Sequence, residues 1–252
     1  MIKRFSNGVE YHTFPLLDKC PELRHGVLTR RGPSGRDWTL AYDEKNPAPP
    51  SEIAANILAA SRALGLPEAS FVGQAHGAEI LWLDDHPGYA PRCPSEIKAG
   101  YDALVSKPGR SLMIRLADCQ GLLVYDPGSR VLALVHNGWR GSVRNIAGRV
   151  VAAMAERYEL DPGGFLAALS PSLGPCCAEF KGYRTELPEE FWAHKDSRNY
   201  FDFPAVTRGQ LLSAGLQNEH IELSGVCTKC SPDFFSHRRQ ETGRFAVLAG
   251  VV

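Results

Sequence analysis

Apolar residues recur at helical spacing in two segments of the chain. In the first segment they fall on one helix face, which comprises Ile53, Ile57, Leu58 and Leu64. Ser51 is the expected N-cap of this helix, and Gly65 supplies its stop. The proline-rich stretch 46–50, which precedes the helix, predicts a loop.

The second segment of this kind follows Gly141. Ser142 is the expected N-cap, and the apolar residues after it share one helix face: Val143, Ile146, Ala147, Val150, Val151 and Met154. The sequence therefore predicts a second amphipathic helix that begins at Ser142.

Short apolar runs typical of β-strands occupy much of the remaining chain. They cover 112–116, 121–125, 131–135, 165–169, 221–225 and 245–251. Strands and helices are interspersed without strict alternation, and no change in composition marks a domain boundary. We therefore predict an α+β protein with mixed sheets flanked by helices, in a single domain over residues 1–252.

The composition narrows the range of partners. Of the 252 residues, 44% are hydrophobic and 22% are charged, as in a soluble globule with a sizeable core. The 28 basic and 28 acidic residues balance, which argues against nucleic acid or an anionic membrane as partner. No leader-like segment and no apolar run of about 18 residues is present. Seven unevenly spaced cysteines indicate reduced thiols, so we expect a cytoplasmic protein.

The turn at 126–129 brings a cysteine and a histidine together. If strands 120–125 and 131–136 form a hairpin with an even-length loop, Cys119 lies directly opposite His136. Cross-strand partners have Cβ atoms about 4.5–5.5 Å apart. A zinc ion, at about 2.3 Å from sulfur and about 2.0–2.1 Å from nitrogen, can bridge them. An odd-length loop would place the two side chains on opposite faces.

His76 supplies a third ligand from the end of the apolar run 69–72. Two imidazoles and one thiolate leave a fourth position open, which is the pattern of catalytic zinc. Such a metal acidifies a bound water or polarises a substrate atom. We therefore predict His76, Cys119 and His136 as metal ligands and catalytic groups. The alternative is packing alone, because none of the three forms a tight local pair.

Residues 136–141 predict a binding site for an anion. Gly138 and Gly141 allow the backbone to approach a ligand, and the helix expected at Ser142 offers free N–H groups. Arg140 is placed to clamp phosphate or carboxylate, and Trp139 to present a flat face to a base. A tight turn around a packed tryptophan is the alternative interpretation.

A second basic cluster lies near the C-terminus, at 238–239 and 242–244. Its guanidinium groups suit oxyanions, although a solvated surface is the commoner explanation for such a run.

Several thiols receive no role from the sequence. Cys227 and Cys230 have the spacing of a zinc ribbon or redox pair, but no second such pair completes four ligands. Cys176 and Cys177 follow a Gly-Pro turn and are interpreted as structural. Asp118 either orients a ligand or caps a turn.

A series of short motifs, in the same order along nearly the whole chain, matches a known family. The motifs are 25–26, 29–30, 74–77, 117–119, 135–141, 173–177, 227–230, 234–239 and 242–244. On these residues the sequence resembles the bacterial YfiH-like, laccase-domain family. Its members are variously described as polyphenol oxidases, peptidoglycan editing factors and purine nucleoside phosphorylases.

The resemblance implies a metal site, a fold and an activity. The family's ligands map onto His76, Cys119 and His136, the three residues that the hairpin argument selects. Family members have a layered α/β/β/α arrangement with mixed sheets. The implied activity is phosphorolysis of adenosine, inosine or methylthioadenosine, with adenosine deamination as an additional activity.

The implied substrates suggest a binding role for the arginines. Arg30, Arg140 and Arg239 become candidates for binding phosphate, and Asn137, where the family usually has alanine, joins them as a substrate-binding candidate. Other departures are Gln120-Gly121 for a commoner Val-Pro and His237 for a usual tyrosine. These differences leave the preferred substrate open.

Four functions follow, of which a zinc-dependent purine nucleoside enzyme leads. Copper-dependent phenol oxidation is physically weak, because a multicopper site needs more clustered histidines than eight scattered ones supply. A cysteine hydrolase would use Cys119 with His76 or His136 and no metal. A non-enzymatic protein that captures or edits peptidoglycan precursors is the fourth.

Overall fold

The computed structural model describes residues 1–42 and 48–252, so the start of the expected loop 46–50 lies outside the described residues. The described residues form twelve strands: β1 (Ile2–Ser6), β2 (Val9–Thr13), β3 (Leu23–Leu28), β4 (Ala69–Ser70), β5 (Ile80–Trp82), β6 (Ala103–Ser106), β7 (Ser111–Leu116), β8 (Gln120–Asp126), β9 (Val131–Asn137), β10 (Leu166–Leu169), β11 (Ile221–Leu223) and β12 (Phe245–Val251). They also form five α-helices: α1 (Pro50–Ala63), α2 (Trp139–Val143), α3 (Ile146–Tyr158), α4 (Tyr183–Glu186) and α5 (Phe203–Ser213).

The strands build two mixed six-stranded sheets. The first sheet has the order β1-β2-β3-β12-β7-β4, and the second has the order β11-β10-β8-β9-β6-β5. Most neighbours are antiparallel, whereas β4 with β7, β5 with β6, and β10 with β11 are parallel. The expected α+β class with mixed sheets is confirmed.

The two sheets pack face to face between two layers of helix. Ile114 of the first sheet and Leu134 of the second lie in the core between the sheets, both without exposed surface. Ile53 of α1 packs on the outer face of the first sheet, and Val150 of α3 packs on the outer face of the second. This arrangement confirms the α/β/β/α layering that the family resemblance implied.

Burial on both faces explains the continuous apolar runs. In β12, Val247 faces the second sheet while the adjacent Leu248 faces α1. In β8, Leu123 faces the first sheet and Val124 faces α3. Successive side chains point to opposite sides of a strand, so a strand covered on both sides needs apolar residues at every position.

Both expected helix caps are wrong. Pro49 is the N-cap of α1 and Pro50 occupies the first turn, so Ser51 lies inside the helix. Ser142 lies inside α2, where its hydroxyl donates to Asn137 Oδ1 and the Gly138 carbonyl. No helix begins there, and the helix that carries the predicted apolar face begins at Ile146.

The hairpin between β8 and β9 has the expected even-length loop but a different register. His136 pairs with Gly121 rather than with Cys119. The four-residue loop is displaced by one position, to 127–130, where Asp126 accepts a hydrogen bond from the Ser129 amide and Arg130 adopts a left-handed conformation. A shift of two residues preserves the face of the sheet, so Cys119 still approaches His136.

No helix of residues 1–42 and 48–252 combines the length and apolar character that crossing a membrane requires.

His25 is a buried imidazole held in its neutral form. Its Nε2 accepts a hydrogen bond from the Phe14 amide at 2.8 Å, and only 4% of the residue is exposed. Burial lowers the pKa of His25 to about 4, although nearby Asp18 opposes this shift. A protonated ring would lose its acceptor and leave the Phe14 amide without a partner.

We predict that His25 makes the fold sensitive to acid. The pKa of His25 is lower in the folded than in the unfolded state. Its contribution to the free energy of unfolding is therefore complete above about pH 6.5 and is lost as the pH falls toward 4. The free energy of unfolding should therefore fall by about 3 kcal/mol through this residue between pH 7 and pH 4. His25→Gln keeps a donor and an acceptor but does not titrate, so urea unfolding should show a shallower pH dependence. An identical pH dependence in both proteins would refute this role.

Candidate metal centre

The structure brings His76, Cys119 and His136 together. Their ligand atoms all lie within 4.8 Å of one another, although the residues come from the turn after β4, the β7–β8 loop and β9. The two imidazole rings are nearly perpendicular, with an interplanar angle of 79°. His136 is buried, Cys119 is half-buried and His76 is exposed, so one side of the group is open.

A buried carboxylate, that of Asp102, orients the imidazole of His136 and holds the backbone of the turn that carries His76. Asp102 has no exposed surface, and its Oδ1 lies 2.7 Å from His136 Nδ1. Its two oxygens also accept hydrogen bonds from the backbone amides of Ala75, His76 and Gly77, at 3.2, 2.9 and 2.6 Å. His76 has a φ of 57°, and these bonds hold the turn in that unfavourable left-handed conformation. The His136 Nε2 is thereby left for Cys119 or for a metal.

The electrostatics of the site favour a thiolate. Burial raises the pKa of Cys119, but His136 and His76 outweigh it and bring the pKa down to about 6. Burial lowers the pKa of His136, whereas the charge of Cys119 and the hydrogen bond to Asp102 raise it to about 9. A thiolate and two imidazoles, one of them fixed by a carboxylate, are a donor set that fits zinc.

Gly138 permits this close approach. A Cβ at this position would lie 3.0 Å from the Cys119 sulfur and 3.2 Å from Cδ2 of His76. Any other residue would push these side chains apart. The glycine that the sequence suggested for ligand approach therefore serves the side-chain cluster itself.

The three side chains line a cavity of about 650 Å³. This volume lies within the usual range of small-molecule sites. Both sheets contribute to the lining, through Arg115 of β7 and His136 of β9. Trp139 and Phe180 form an edge-to-face pair with ring centroids 5.1 Å apart on another part of the lining. The cavity thus combines a group of metal-ligating side chains with aromatic and cationic surfaces.

Arg140 has a guanidinium that is open to solvent at the cavity. Its Cζ lies 4.4 Å from the ring centroid of Trp139, a cation–π contact. Within the part of the chain that the structure describes, no carboxylate forms an ion pair with it. Arg140 therefore lies beside the cluster, and its binding of phosphate stays a prediction.

Asn137 lines the cavity, but its amide is engaged within the protein. Its Nδ2 donates to Thr207 Oγ1 at 3.0 Å, and its Oδ1 accepts from Ser142 Oγ at 3.1 Å. Only 1% of the residue is exposed. The asparagine therefore connects β9 to α2 and α5.

Arg30 and Arg239 are not brought together with Arg140. They line a separate depression on the surface. Arg30 forms ion pairs with Asp37 and Glu241 at 2.5 and 2.8 Å. Arg239 donates to backbone carbonyls at 228, 229 and 231 and also pairs with Glu241. Carboxylates and carbonyls of the chain thus occupy the two guanidinium groups that were expected to bind phosphate.

Several residues of the site escaped the sequence analysis. Asp102 is the most important, and its only signal is an acid directly before the apolar run 103–105. Arg115 and Phe180, which line the cavity, stand outside the motifs considered. Asp118 was left between two roles, and the structure shows a turn role: its carboxylate accepts hydrogen bonds from Thr228 Oγ1 and the Arg238 amide.

Comparisons with known proteins identify the family of this chain. The model of the family described as "Multi-copper polyphenol oxidoreductase laccase" matches residues 24–252. The chain is 33% identical over 192 residues to purine nucleoside phosphorylase YlmD of Geobacillus stearothermophilus, covering 70% of each chain. It is 30% identical over 254 residues to the purine nucleoside phosphorylase of Deinococcus radiodurans, covering 94% of this chain and 93% of that one.

A solved structure shows the same fold. The crystal structure of YlmD from Geobacillus stearothermophilus is similar with a TM-score of 0.81 and 26% identity, covering 98% of this chain and 97% of that one.

The role of Asp102 gives a direct prediction for metal affinity. Asp102→Asn should weaken zinc binding by about 10- to 100-fold, because the imidazole of His136 loses its charged partner. Competition with a chromophoric chelator measures this affinity. Asp126→Asn is the matched control, since Asp126 is buried in the β8–β9 turn away from the cluster. Equal zinc affinity of the native and Asp102→Asn proteins would show that the carboxylate does not support the metal centre.

Proposed function

The chain belongs to the family described as multi-copper polyphenol oxidoreductase laccase, and from that premise we propose that it is a zinc-dependent enzyme that cleaves purine nucleosides by phosphorolysis. The observation that carries this proposal is the convergence of two imidazoles and a thiolate on the wall of a nucleoside-sized cavity. The names of the relatives support an enzyme that acts on purine nucleosides and phosphate. Adenosine, inosine and methylthioadenosine are the proposed substrates.

In this proposal the chain's own residues hold and orient the metal. His76, Cys119 and His136 are the ligands, and Asp102 fixes the orientation of the imidazole of His136. A bound zinc ion would polarise a substrate atom or acidify a water molecule at the remaining position. Residues of both sheets line the cavity, which supports a single functional domain.

Aromatic and cationic side chains bind the substrates. Trp139 and Phe180 offer apolar ring surface to a purine base. Arg140 binds phosphate, with Arg238 at the same cavity as a second cation. Phosphate that attacks the anomeric carbon replaces the bond to the base, and the base leaves with the bonding electrons and takes up a proton. Arginine charge beside the phosphate holds this nucleophile in place.

The lining favours phosphorolysis over adenosine deamination. Zinc deaminases use a free glutamate as general acid and base. Among the described residues that line the cavity, Asp118 is the single carboxylate, and Thr228 and Arg238 occupy its oxygens. Multicopper chemistry also lacks ligands, because only one metal-binding cluster of the described residues contains histidine, and it contains two.

One observation favours a second candidate, a cysteine hydrolase. Cys119, His136 and Asp102 form a chain of thiol, imidazole and carboxylate, with a cysteine whose pKa is lowered to about 6. Such a triad gives no role to His76, which approaches the same sulfur and is held in an unfavourable conformation. The metal-dependent enzyme accounts for both histidines and is therefore the leading proposal.

Reduced thiols at all seven cysteines, which all lie in described residues, support a cytoplasmic enzyme.

Removal of the metal separates the two candidates. Chelator treatment should abolish turnover of adenosine and inosine in phosphate buffer, and zinc should restore it. Cys119→Ala and His136→Ala should each lose both this metal and the activity, because each lacks a ligand. Chelator-treated protein that cleaves peptide substrates while its Cys119→Ala variant does not would establish the hydrolase instead.

Arg140 should control the use of phosphate. Arg140→Ala is expected to retain zinc and to raise the KM for phosphate by about tenfold or more, since a charged hydrogen bond contributes about 1.5–3 kcal/mol. Steady-state kinetics with varied phosphate measure the effect. Arg149→Ala, at an exposed position of α3 outside the cavity, is the control. If both variants kept the native KM, phosphate would have to bind elsewhere.

A further inference from the structure

A second group of metal-ligating side chains lies outside the cavity. The sulfurs of Cys176, Cys177, Cys227 and Cys230 all lie within 4.8 Å of one another, and none is in a disulfide. None of the four lines the cavity. The sequence offered one Cys-x-x-Cys pair without a partner, and the fold supplies the partner as two consecutive cysteines from a distant turn.

The sulfur separations fit one shared ion. The Sγ atom of Cys230 lies 3.7 Å from that of Cys176 and 3.5 Å from that of Cys177. A tetrahedron with metal–sulfur bonds of about 2.3 Å has sulfur–sulfur edges of about 3.8 Å. A disulfide would need about 2.05 Å. The observed separations are therefore close to the edges of a tetrahedral four-thiolate site.

Two hydrogen-bonded turns present the sulfurs. The Cys177 amide donates to the Gly174 carbonyl at 2.9 Å, and the Ser231 amide donates to the Cys227 carbonyl at 2.9 Å. Backbone hydrogen bonds from Gly174 and Cys230 also reach the Cys227 sulfur. These contacts form the cluster without help from a covalent cross-link.

The two turns are fixed to each other. Ser172 forms a bridge with Cys227, and its carbonyl accepts from the Thr228 amide at 2.9 Å. A Cβ at Gly174 would lie 3.0 Å from Cys227 Cβ and 3.6 Å from the Cys176 sulfur, so only glycine allows the turns to meet. Arg239 donates to carbonyls at 228, 229 and 231 and so braces the second turn.

We propose that Cys176, Cys177, Cys227 and Cys230 hold one zinc ion in a tetrahedral, purely structural site. All four ligands are protein thiolates and no position remains for a substrate, which is the pattern of structural zinc. Four thiolates and Zn²⁺ carry two net negative charges. Lys229 within the second turn and Arg239, which contacts that turn, supply positive charge beside them. The proposal does not depend on the reaction at the cavity.

The site also supports the candidate metal centre. Thr228, between two of the ligands, donates from Oγ1 to Asp118 Oδ1 at 2.6 Å, and the Leu173 amide donates to the Asp118 carbonyl at 2.8 Å. Asp118 has a φ of 87° and directly precedes Cys119. Both turns of the thiolate cluster thus contact the residue that directly precedes Cys119 in the chain.

Metal content tests the proposal directly. Protein purified under reducing conditions with zinc should carry two ions per chain, one for each cluster. The double variant Cys227→Ser with Cys230→Ser should carry one, and so should Cys119→Ala. Cys93→Ser, which removes a cysteine outside both clusters, should keep two. A double variant with as much zinc as the native protein would overturn the proposal. The zinc content of Cys119→Ala bears only on the first centre.

A measurement on the native chain avoids dependence on the folding of variants. Cys176 and Cys230 are exposed, so iodoacetamide can reach both sulfurs when they are free. Bound zinc should slow their alkylation by at least about tenfold relative to chelator-treated protein, because a metal-bound thiolate is a poor nucleophile. Peptide mass spectrometry assigns the modified residues. Equal rates with and without zinc, or a disulfide within the cluster in freshly isolated protein, would contradict a zinc site.

Discussion

The Asp102 carboxylate is the interaction on which the candidate centre depends. It is completely buried, and it receives three backbone amides from the turn that carries His76 and one imidazole nitrogen from His136. A buried carboxylate without such partners would cost several kcal/mol. Because one group satisfies these four donors, the backbone that carries His76 and the imidazole of His136 are held in a fixed relation. The carboxylate therefore joins two distant segments of the chain at the candidate metal centre.

The layered fold explains why these segments meet. Asp102 precedes β6, His136 is near the end of β9, and these strands are neighbours in the second sheet. Cys119 arrives from the loop between β7 and β8, which crosses from the first sheet to the second. The cavity lies where this crossing opens, so both sheets line it. Layers of helix cover the outer faces and leave the connections between sheets as the place for chemistry.

Many strands of the fold could be predicted from the periodicity and spacing of apolar residues. The apolar runs of β7, β8, β9 and β12 mark strands buried on both faces, and their positions agree with the structure within about one or two residues. Strands β1, β2, β3, β5 and β6 were missed, because each is short or interrupted by polar residues. Cys119 and His136 lie close together as the hairpin pattern predicts, although the register differs by two residues, because parity alone decides which face of the sheet a side chain occupies.

Contacts between distant segments were beyond the reach of the sequence. Nothing near Arg30 indicates that Glu241, 211 residues later in the chain, pairs with it as well as with Arg239, and these pairs occupy both guanidinium groups away from the cavity. Likewise, the pair Cys227 and Cys230 appeared incomplete because its partners, Cys176 and Cys177, lie about fifty residues earlier in the chain. Side chains that are joined only by tertiary packing leave no periodic signal.

The proposed activity at the cavity requires that His76, Cys119 and His136 share a metal ion. Anomalous diffraction at the zinc absorption edge, from crystals of protein purified with zinc, locates such an ion. We expect a peak about 2.3 Å from the Cys119 sulfur and about 2.0–2.1 Å from one nitrogen of each histidine. Density that shows Cys119 hydrogen-bonded to His136, with no anomalous peak between the three side chains, would contradict it.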